Sequence, residues 1–432
     1  MTLIDIESIQ ASMLAPTTDT AGRAVMGLSL AFEGPPGNAK SARIHKAVYD
    51  LGLHTEILRP ASMSPSDIRG IPTPVELEVG GTTQVFNQRT LPMWAYETHK
   101  RPTCVFIEEL TAGSSQQNMA MLLGVMQDRK LDSFALGADT RFCTVYNPES
   151  CAVGGMPIEA PMSNRLITVP VMYDPMTDSV PHEAVARATR AWAEWYRTAD
   201  DVFTPRPAPD VEHLRRQEGA VRAVWREEFA LARELVTKFV EETPPVNGEY
   251  MGYHLPPPED PSFSRGWRSF RSNDTAARIL AISKIRGLSD DQTRLLLVGA
   301  VGSSWVDSFS TFFSYRDLPN GKQFFAGEWE NFDFEADVMK SKVVLSTALS
   351  YAVGTADDKE RVEQVWTLGH AMVRALAAGS DVVASVHTRM EEANLYKPPT
   401  GFKDSEKSPH LVRRMLQKEP EIQELLRSLR GG

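Results

Sequence analysis

The stretch that most constrains this chain is the run Leu28-Ser29-Leu30-Ala31-Phe32-Glu33, leading into Gly34-Pro35-Pro36-Gly37-Asn38-Ala39-Lys40-Ser41. An apolar run of strand length ends in a Gly/Pro turn, the turn ends in Lys-Ser, and residues 42–51 read as a helix. Strand, loop and helix in that order are the setting a Walker A phosphate loop requires. Successive N–H groups of such a loop form an anion-binding concavity, and the helix that follows adds its positive N-terminal end. Lys40 is expected to reach the β- and γ-phosphates of a nucleotide, and the Ser41 hydroxyl to bind Mg²⁺. Ala39 stands where the pattern has Gly, so only Gly34 and Gly37 remain. A Cβ there narrows the backbone's freedom without forbidding the loop. The plainer reading of the same residues is a Gly/Pro turn with a chance Lys-Ser.

Residues 104–107, Cys-Val-Phe-Ile, form a continuous apolar run, as expected of a buried parallel strand. The run ends in Glu108-Glu109. Two carboxylates at a strand's C-terminal end fit a Walker B arrangement, the first holding the Mg²⁺ shell and the second orienting and deprotonating water. Glu108 occupies the place of the usual Asp and is one methylene longer, which bears on Mg²⁺ geometry and so on turnover. Otherwise the pair is a charged strand terminus. Residues 142–146 read as another buried strand, ending in Asn147-Pro148. An amide there, beside a γ-phosphate, could hold the lytic water, although Asn-Pro pairs also simply form turns. Arg165 precedes a strand at 167–171 and reads either as a surface ion pair or as a finger offered to a neighbouring subunit's phosphate. Two alternating runs, 75–79 and 82–86, flank Gly80-Gly81 and predict a β-hairpin, and 130–141 suggests a second one.

Composition sets outer limits. A chain of 432 residues has room for two or three domains, and 42% hydrophobic with 24% charged residues is ordinary for a globular protein. The formal net charge of −10 argues against a nucleic-acid-binding surface that dominates the molecule. Cys104, Cys143 and Cys151 show no metal-ligand spacing; the first two sit in apolar runs and read as buried small hydrophobes. An odd, sparse cysteine count suggests a reducing compartment. Residues 1–16 lack the positive start of a signal peptide, and no apolar stretch reaches the roughly 20 residues needed to span a bilayer. The expectation is a cytoplasmic protein.

Taken in order, Gly-Pro-Pro-Gly-Asn-Ala-Lys-Ser, then Val-Phe-Ile-Glu-Glu-Leu, then Tyr-Asn-Pro-Glu, then Asn-Arg-Leu resembles the AAA+ ATPases, and within them the MoxR-type branch. The phrase Asp67-Ile68-Arg69-Gly70-Ile71-Pro72-Thr73-Pro74 before a hairpin is similar to that branch's insert in helix 2. The likeness covers residues 20–175 and continues more thinly through Pro261-Ser262-Phe263-Ser264-Arg265-Gly266-Trp267, similar to the sensor-2 entry of a helical lid. It implies an α/β fold: a P-loop AAA+ core with a parallel sheet flanked by helices, then an all-α lid and an α-helical C-terminal region. The segments expected are 1–175 for the core with two hairpin insertions, 176–325 for the lid and 326–432 for the remainder. The resemblance implies ATP as ligand, held by residues Gly34, Pro35, Pro36, Gly37, Asn38, Ala39, Lys40 and Ser41, with Mg²⁺ on Ser41 and Glu108. It makes Glu109 the water-activating residue, Asn147 sensor 1, Arg165 the trans-acting arginine finger and Arg265 the lid arginine, with Arg268 a competing candidate. A finger in trans requires a homo-oligomeric ring, typically a hexamer. Such proteins act as chaperone-like motors, and their partners often contain a von Willebrand factor A domain. Two other functions stay open: a nucleotide-gated scaffold with little turnover, and a DNA-translocating motor. The acidic balance, and a first hairpin carrying Glu76 and Glu78 but no Lys or Arg, weigh against the last.

The rest of the chain reads as helical. Residues 183–198 place Trp192, Trp195 and Tyr196 at helical spacing, which suggests core packing. Helices are expected at 220–241, 269–285, 289–313 (broken near 299–302), 335–353 and 359–378. Residues 205–209 read as a Pro-rich linker, 244–261 as a proline-interrupted loop, 317–321 as a turn, and 406–432 as a charged stretch with a short packed helix.

Overall fold

Five short strands align side by side in the computed structural model, which describes residues 5–112, 115–151, 157–198, 207–243, 249–315, 318–319, 321–402 and 407–420. Residues 205–206 of the expected linker, 244–248 of the proline-interrupted loop, Asp317 and Asn320 of the turn, 403–406, and 421–432 of the C-terminal stretch lie outside the described residues. The strands are β1 (Leu30–Glu33), β2 (His54–Leu58), β3 (Thr103–Ile107), β4 (Thr140–Tyr146) and β5 (Ile167–Pro170). All pair in parallel, in the order β5-β1-β4-β3-β2. Every residue of β1, β3 and β4 is buried, as continuous apolar strands covered on both faces must be. Phe106 and Phe142 are fully buried there, each contributing about 2 kcal/mol of burial free energy.

Register decides what the sheet presents. Tyr146 lies opposite Glu33, and Thr144 opposite Ile107, so β1, β3 and β4 all end at one edge. The loops that follow carry Lys40, Glu108, Glu109 and Asn147. A connection between parallel strands needs a crossover, and helices supply it: α1 (Ile6–Leu14) precedes the sheet, α2 (Lys40–Leu51) leads from β1 to β2, and α3 (Gln116–Asp128) lies between β3 and β4. The expected hairpin forms over Pro72–Val79 and Thr82–Arg89, longer than its alternating runs, and a two-residue pairing of Lys130–Leu131 with Phe134–Ala135 makes the second.

Helices Val211–Glu242 (α4), Phe270–Arg286 (α5) and Asp290–Val301 (α6) pack in the same compact unit as the sheet. Two glycines allow a close approach between these elements and the sheet. A Cβ on Gly299 of α6 would come within 2.6 Å of the Thr168 carbonyl oxygen on β5, and one on Gly266 within 2.3 Å of the Gly299 oxygen. The segment carrying Arg265 is thereby drawn onto the sheet.

The chain divides into two compact units, Met1–Phe309 and Ser310–Gly432, where the sequence suggested three segments. Most of the stretch expected as a separate lid lies in the first unit. Among its described residues the second has helices as its only regular elements. Val338–Gly354, Asp358–Ala375, Ser380–Glu392 and Pro409–Lys418 enclose Val344, Leu368, Met372, Val383, Val412 and Leu416. The helix at Ser380–Glu392 has no counterpart in the sequence reading. A further departure concerns the helix His182–Thr198. Trp192 and Tyr196 stack at 5.0 Å between ring centroids but are 52% and 63% exposed, so they are not core residues. Their i, i+4 spacing puts them on one face, and that face is turned to solvent. The side chain of Trp195 lies outside the described residues.

Candidate functional site

The site grows from the turn between β1 and α2. Gly34 accepts no side chain, because a Cβ would lie 2.2 Å from the Val171 carbonyl oxygen beyond β5. Asn38 Nδ2 donates to that same oxygen at 3.2 Å, pinning the loop across the strand ends. The Gly34 N–H donates to the Tyr146 carbonyl at 3.3 Å, joining the loop to the end of β4. Gly37 takes φ +77°, and Ala39, the helix N-cap, takes φ +61°. Ala39 therefore adopts the left-handed conformation that glycine adopts more easily, at about 1–2 kcal/mol of strain.

Lys40 is 7% exposed and turns back over the loop. Its Nζ donates to the carbonyl oxygens of Gly34 (2.6 Å) and Pro35 (2.7 Å) and to Asn147 Oδ1 (3.3 Å). Burial pulls the ammonium down to about 8, with the nearby Cys151 acting weakly the other way. The three oxygens also favour the charged form. Two residues singled out separately in the sequence, 107 positions apart, thus share a hydrogen bond.

The acidic pair emerges from β3. The Glu108 N–H is fixed by the Leu58 carbonyl at 2.9 Å. The Glu108 carboxylate lies 2.8 Å from the Arg59 guanidinium and 3.8 Å from His45 Nε2. His45 is one helical turn beyond Ser41, so Glu108 addresses the face of α2 that carries the Ser41 hydroxyl. Glu109 is exposed and takes φ +54°, a second non-glycine residue in the left-handed conformation in the same region. Ser41 and Glu108 are a hydroxyl and a carboxylate. Such hard oxygen donors fit an ion like Mg²⁺, which keeps several waters and takes its remaining ligands from phosphate oxygens. Glu108 must exchange its Arg59 contact to serve there, and Arg59 is 59% exposed, so it is free to move away.

Arg265 reaches the same sheet edge from the segment before α5. It makes a two-pronged contact with Glu33, the last residue of β1: Nε to Oε2 and Nη2 to Oε1, both 2.6 Å. Its guanidinium also lies 5.9 Å from the Tyr173 ring centroid. The segment is held by Ser163 Oγ donating to the Phe263 carbonyl, Trp267 Nε1 donating to Ser163 Oγ, and Asn164 Nδ2 donating to the Trp267 carbonyl. Burial pushes the Glu33 carboxyl above its ordinary range, and Arg265 opposes that rise.

The structure brings Lys40 and Asn147 together, puts Glu108 against α2, and places Arg265 next to the loop through Glu33. It does not bring Arg165 or Arg268 there. Arg268 points into the helical layer, bonded to Glu249 and, at 3.2 Å, to Ser304 Oγ. Arg165 lies before β5, at the other end of the strands, where it donates to the Pro161 carbonyl. Sequence reasoning missed Glu33, His45, Arg59 and Tyr173. Glu33 abuts Gly34 and was in view as a strand end; the other three carry no local signal. Comparison with protein-family models and with curated proteins finds no match.

Proposed function

We propose that this protein is an ATP-hydrolysing motor of the AAA+ class, of the MoxR type, that assembles as a ring and remodels a partner protein. The observation that carries the proposal is the meeting of Lys40 and Asn147 over the Gly34–Ala39 loop, with Arg265 anchored one residue upstream at Glu33. The strand order supports it: β4, bearing the sensor candidate, lies between the P-loop strand and the acidic strand. Asn147 can then face both phosphate and lytic water.

In this reading Lys40 leaves the loop carbonyls to meet the terminal phosphates, and Asn147 keeps its bond to Lys40 or turns to the attacking water. Glu109 accepts a proton from the water as the water oxygen attacks the γ-phosphorus; the bond from that phosphorus to the β,γ-bridging oxygen breaks, and ADP and inorganic phosphate are the products. Arg265 balances negative charge from the helical side once Glu33 yields one of its two contacts. Mg²⁺ held through Ser41 and Glu108 would supply charge neutralisation between the β- and γ-phosphates. Arg165, remote from its own chain's loop, suits a site completed by a second copy. A hexameric ring and a von Willebrand factor A partner belong to this proposal by family resemblance alone.

One observation favours the scaffold reading instead, namely the engagement of Glu108 by Arg59 and His45. Phosphate release separates the two. Steady Mg²⁺-dependent hydrolysis that Glu109→Gln abolishes, with ATP binding retained, supports the motor; binding without turnover in the wild type supports the scaffold. DNA translocation is disfavoured by the exposed hairpin Pro72–Val79/Thr82–Arg89, which carries acids along the first strand and a single Arg at its base.

A further inference from the structure

A cavity of about 310 Å³ opens at the end of the sheet opposite the phosphate loop, walled by Gly27–Ser29 ahead of β1, Leu166 ahead of β5, and the first turns of α5. Its cationic groups are Arg129, Arg165, Arg271 and Arg278, and its carboxylates are Asp19 and Asp274. Both carboxylates and two of the arginines already have hydrogen-bond partners. Asp19 accepts from Arg23 Nε at 3.0 Å, and Asp274 from Arg278 Nε at 2.8 Å. Arg129 is buried, bonded to the Thr140 and Gly27 carbonyls at 2.6 and 3.0 Å.

Two guanidinium groups remain. Arg165 makes one bond to a backbone carbonyl, and its Nε is buried with no hydrogen-bond partner. Arg271 is exposed in the first turn of α5, where the helix's own positive end makes a cation unfavourable. Each lies in the other's field: burial first, then Arg271, pulls Arg165 below its ordinary range, while Asp128 opposes this from a distance. Asp128 itself accepts from Thr20 Oγ1 at 2.9 Å. A like-charged pair at a helix N-terminus, in a cavity that Thr17 and Ser29 also line, has the features of an anion seat.

We infer that Arg165 and Arg271 together form a seat for a phosphoryl group, with Arg271 the second cation of a two-arginine clamp. The phosphoryl group has two sources: a free phosphate compound, or the terminal phosphate of a nucleotide held by the Lys40 loop of a second copy. Only the second source rests on the ATPase reading proposed above.

The two sources are separated by one set of variants. In the first arm, the Lys40→Ala chain, whose own phosphate loop is disabled, is titrated with inorganic pyrophosphate at concentrations where sedimentation shows single copies. A free source predicts binding that weakens at least tenfold on adding Arg271→Ala. In the second arm, Lys40→Ala is mixed with Arg165→Ala in the presence of Mg-ATP. A second copy as the source predicts recovered turnover, lost when the Lys40→Ala chain also carries Arg271→Ala and partly restored by Arg271→Lys. Arg271 is exposed, and circular dichroism checks that each variant is folded. If wild-type chain hydrolyses ATP but neither pyrophosphate binding nor recovery depends on Arg271, the seat is wrong and the ATPase reading stands. If wild-type chain binds no ATP yet pyrophosphate binding depends on Arg271, the seat stands and the ATPase reading falls.

Discussion

Lys40 Nζ donates to Asn147 Oδ1 at 3.3 Å, tying the first turn of α2 to the residue that follows β4. The contact exists because β1 and β4 are paired with Glu33 opposite Tyr146, which levels the two loops. Asn147→Ala keeps the loop, whose main-chain amides and Lys40 remain, and removes the amide proposed to aim water. Turnover is expected to fall on the order of 100-fold with nucleotide affinity changed less than tenfold. Phosphate release and calorimetry on the same variant check this; equal losses in both would show that Asn147 serves binding alone.

Protonation of Lys40 is expected to set a pH limit on the proposed nucleotide binding. Burial lowers its pKa to about 8, so below that pH the side chain is an ammonium ready for a triphosphate. Above it the free chain loses the proton, and binding must take it back. Affinity for ATP is therefore expected to hold up to pH 8 and then to fall, approaching tenfold per pH unit. Titrations at pH 8.5 in buffers of different ionisation enthalpy should register net proton uptake, and Lys40→Arg should lose the dependence.

Arg265 and Glu33 hold one another in a largely buried pair, so removing either strands the other. Arg265→Ala is expected to cost about 3–5 kcal/mol in urea unfolding, and the double change Glu33→Gln with Arg265→Met less than the sum of its parts. The Glu33 carboxyl is held above its ordinary 4.5, so the folded chain binds that proton more tightly than the unfolded chain. Its contribution is complete below pH 4.5 and is lost as pH rises through the folded value; Glu33→Gln should flatten that slope.

Ala39 offers a test of backbone strain. At φ +61°, replacing it by Gly relieves about 1–2 kcal/mol of strain and returns about 0.4–1 kcal/mol through the freer unfolded chain. Ala39→Gly should therefore be slightly stabilising, by roughly 0.5 kcal/mol, where Ala→Gly in a helix interior is destabilising. Denaturation midpoints at constant m-value check the sign.

Beneath the sheet, Arg141 is fully buried and bonded to Glu218, to the Met13 carbonyl at 3.2 Å and to the Asp139 carbonyl at 2.6 Å. Arg215 joins Glu218 to Asp139 at 2.8 and 2.7 Å. Glu218→Ala leaves the Arg141 charge without its counter-ion and is expected to destabilise by about 3–5 kcal/mol, against less than 1 for Arg215→Ala, which is half exposed.

How much of this could be read from residues alone follows from the range of each signal. The buried strands were legible because parallel strands covered on both faces are uninterrupted apolar runs, as at Cys104–Ile107 and Phe142–Tyr146. β4 nonetheless begins two residues earlier, at Thr140: the sequence reading assigns Arg141 to the end of the expected hairpin 130–141, because a buried arginine in a strand is intelligible only with Glu218 beside it. The Gly34–Ser41 turn and the acidic pair Glu108-Glu109 were local patterns. The Glu33–Arg265 pair spans 232 positions and depends on Gly266 and Gly299 admitting a close backbone approach, which no local pattern encodes. The same holds for the choice between Arg265 and Arg268, three residues apart and directed to different surroundings. Trp192 and Tyr196 misled because helical spacing reports a shared face, not what covers it.

If the Gly34–Ser41 loop holds the phosphates of ATP as proposed, titration of the pure folded chain with Mg-ATP gives saturable heat at one site per chain in the wild type and none in a folded Lys40→Ala variant. No heat in either, or the same heat in both, would contradict a phosphate-holding loop.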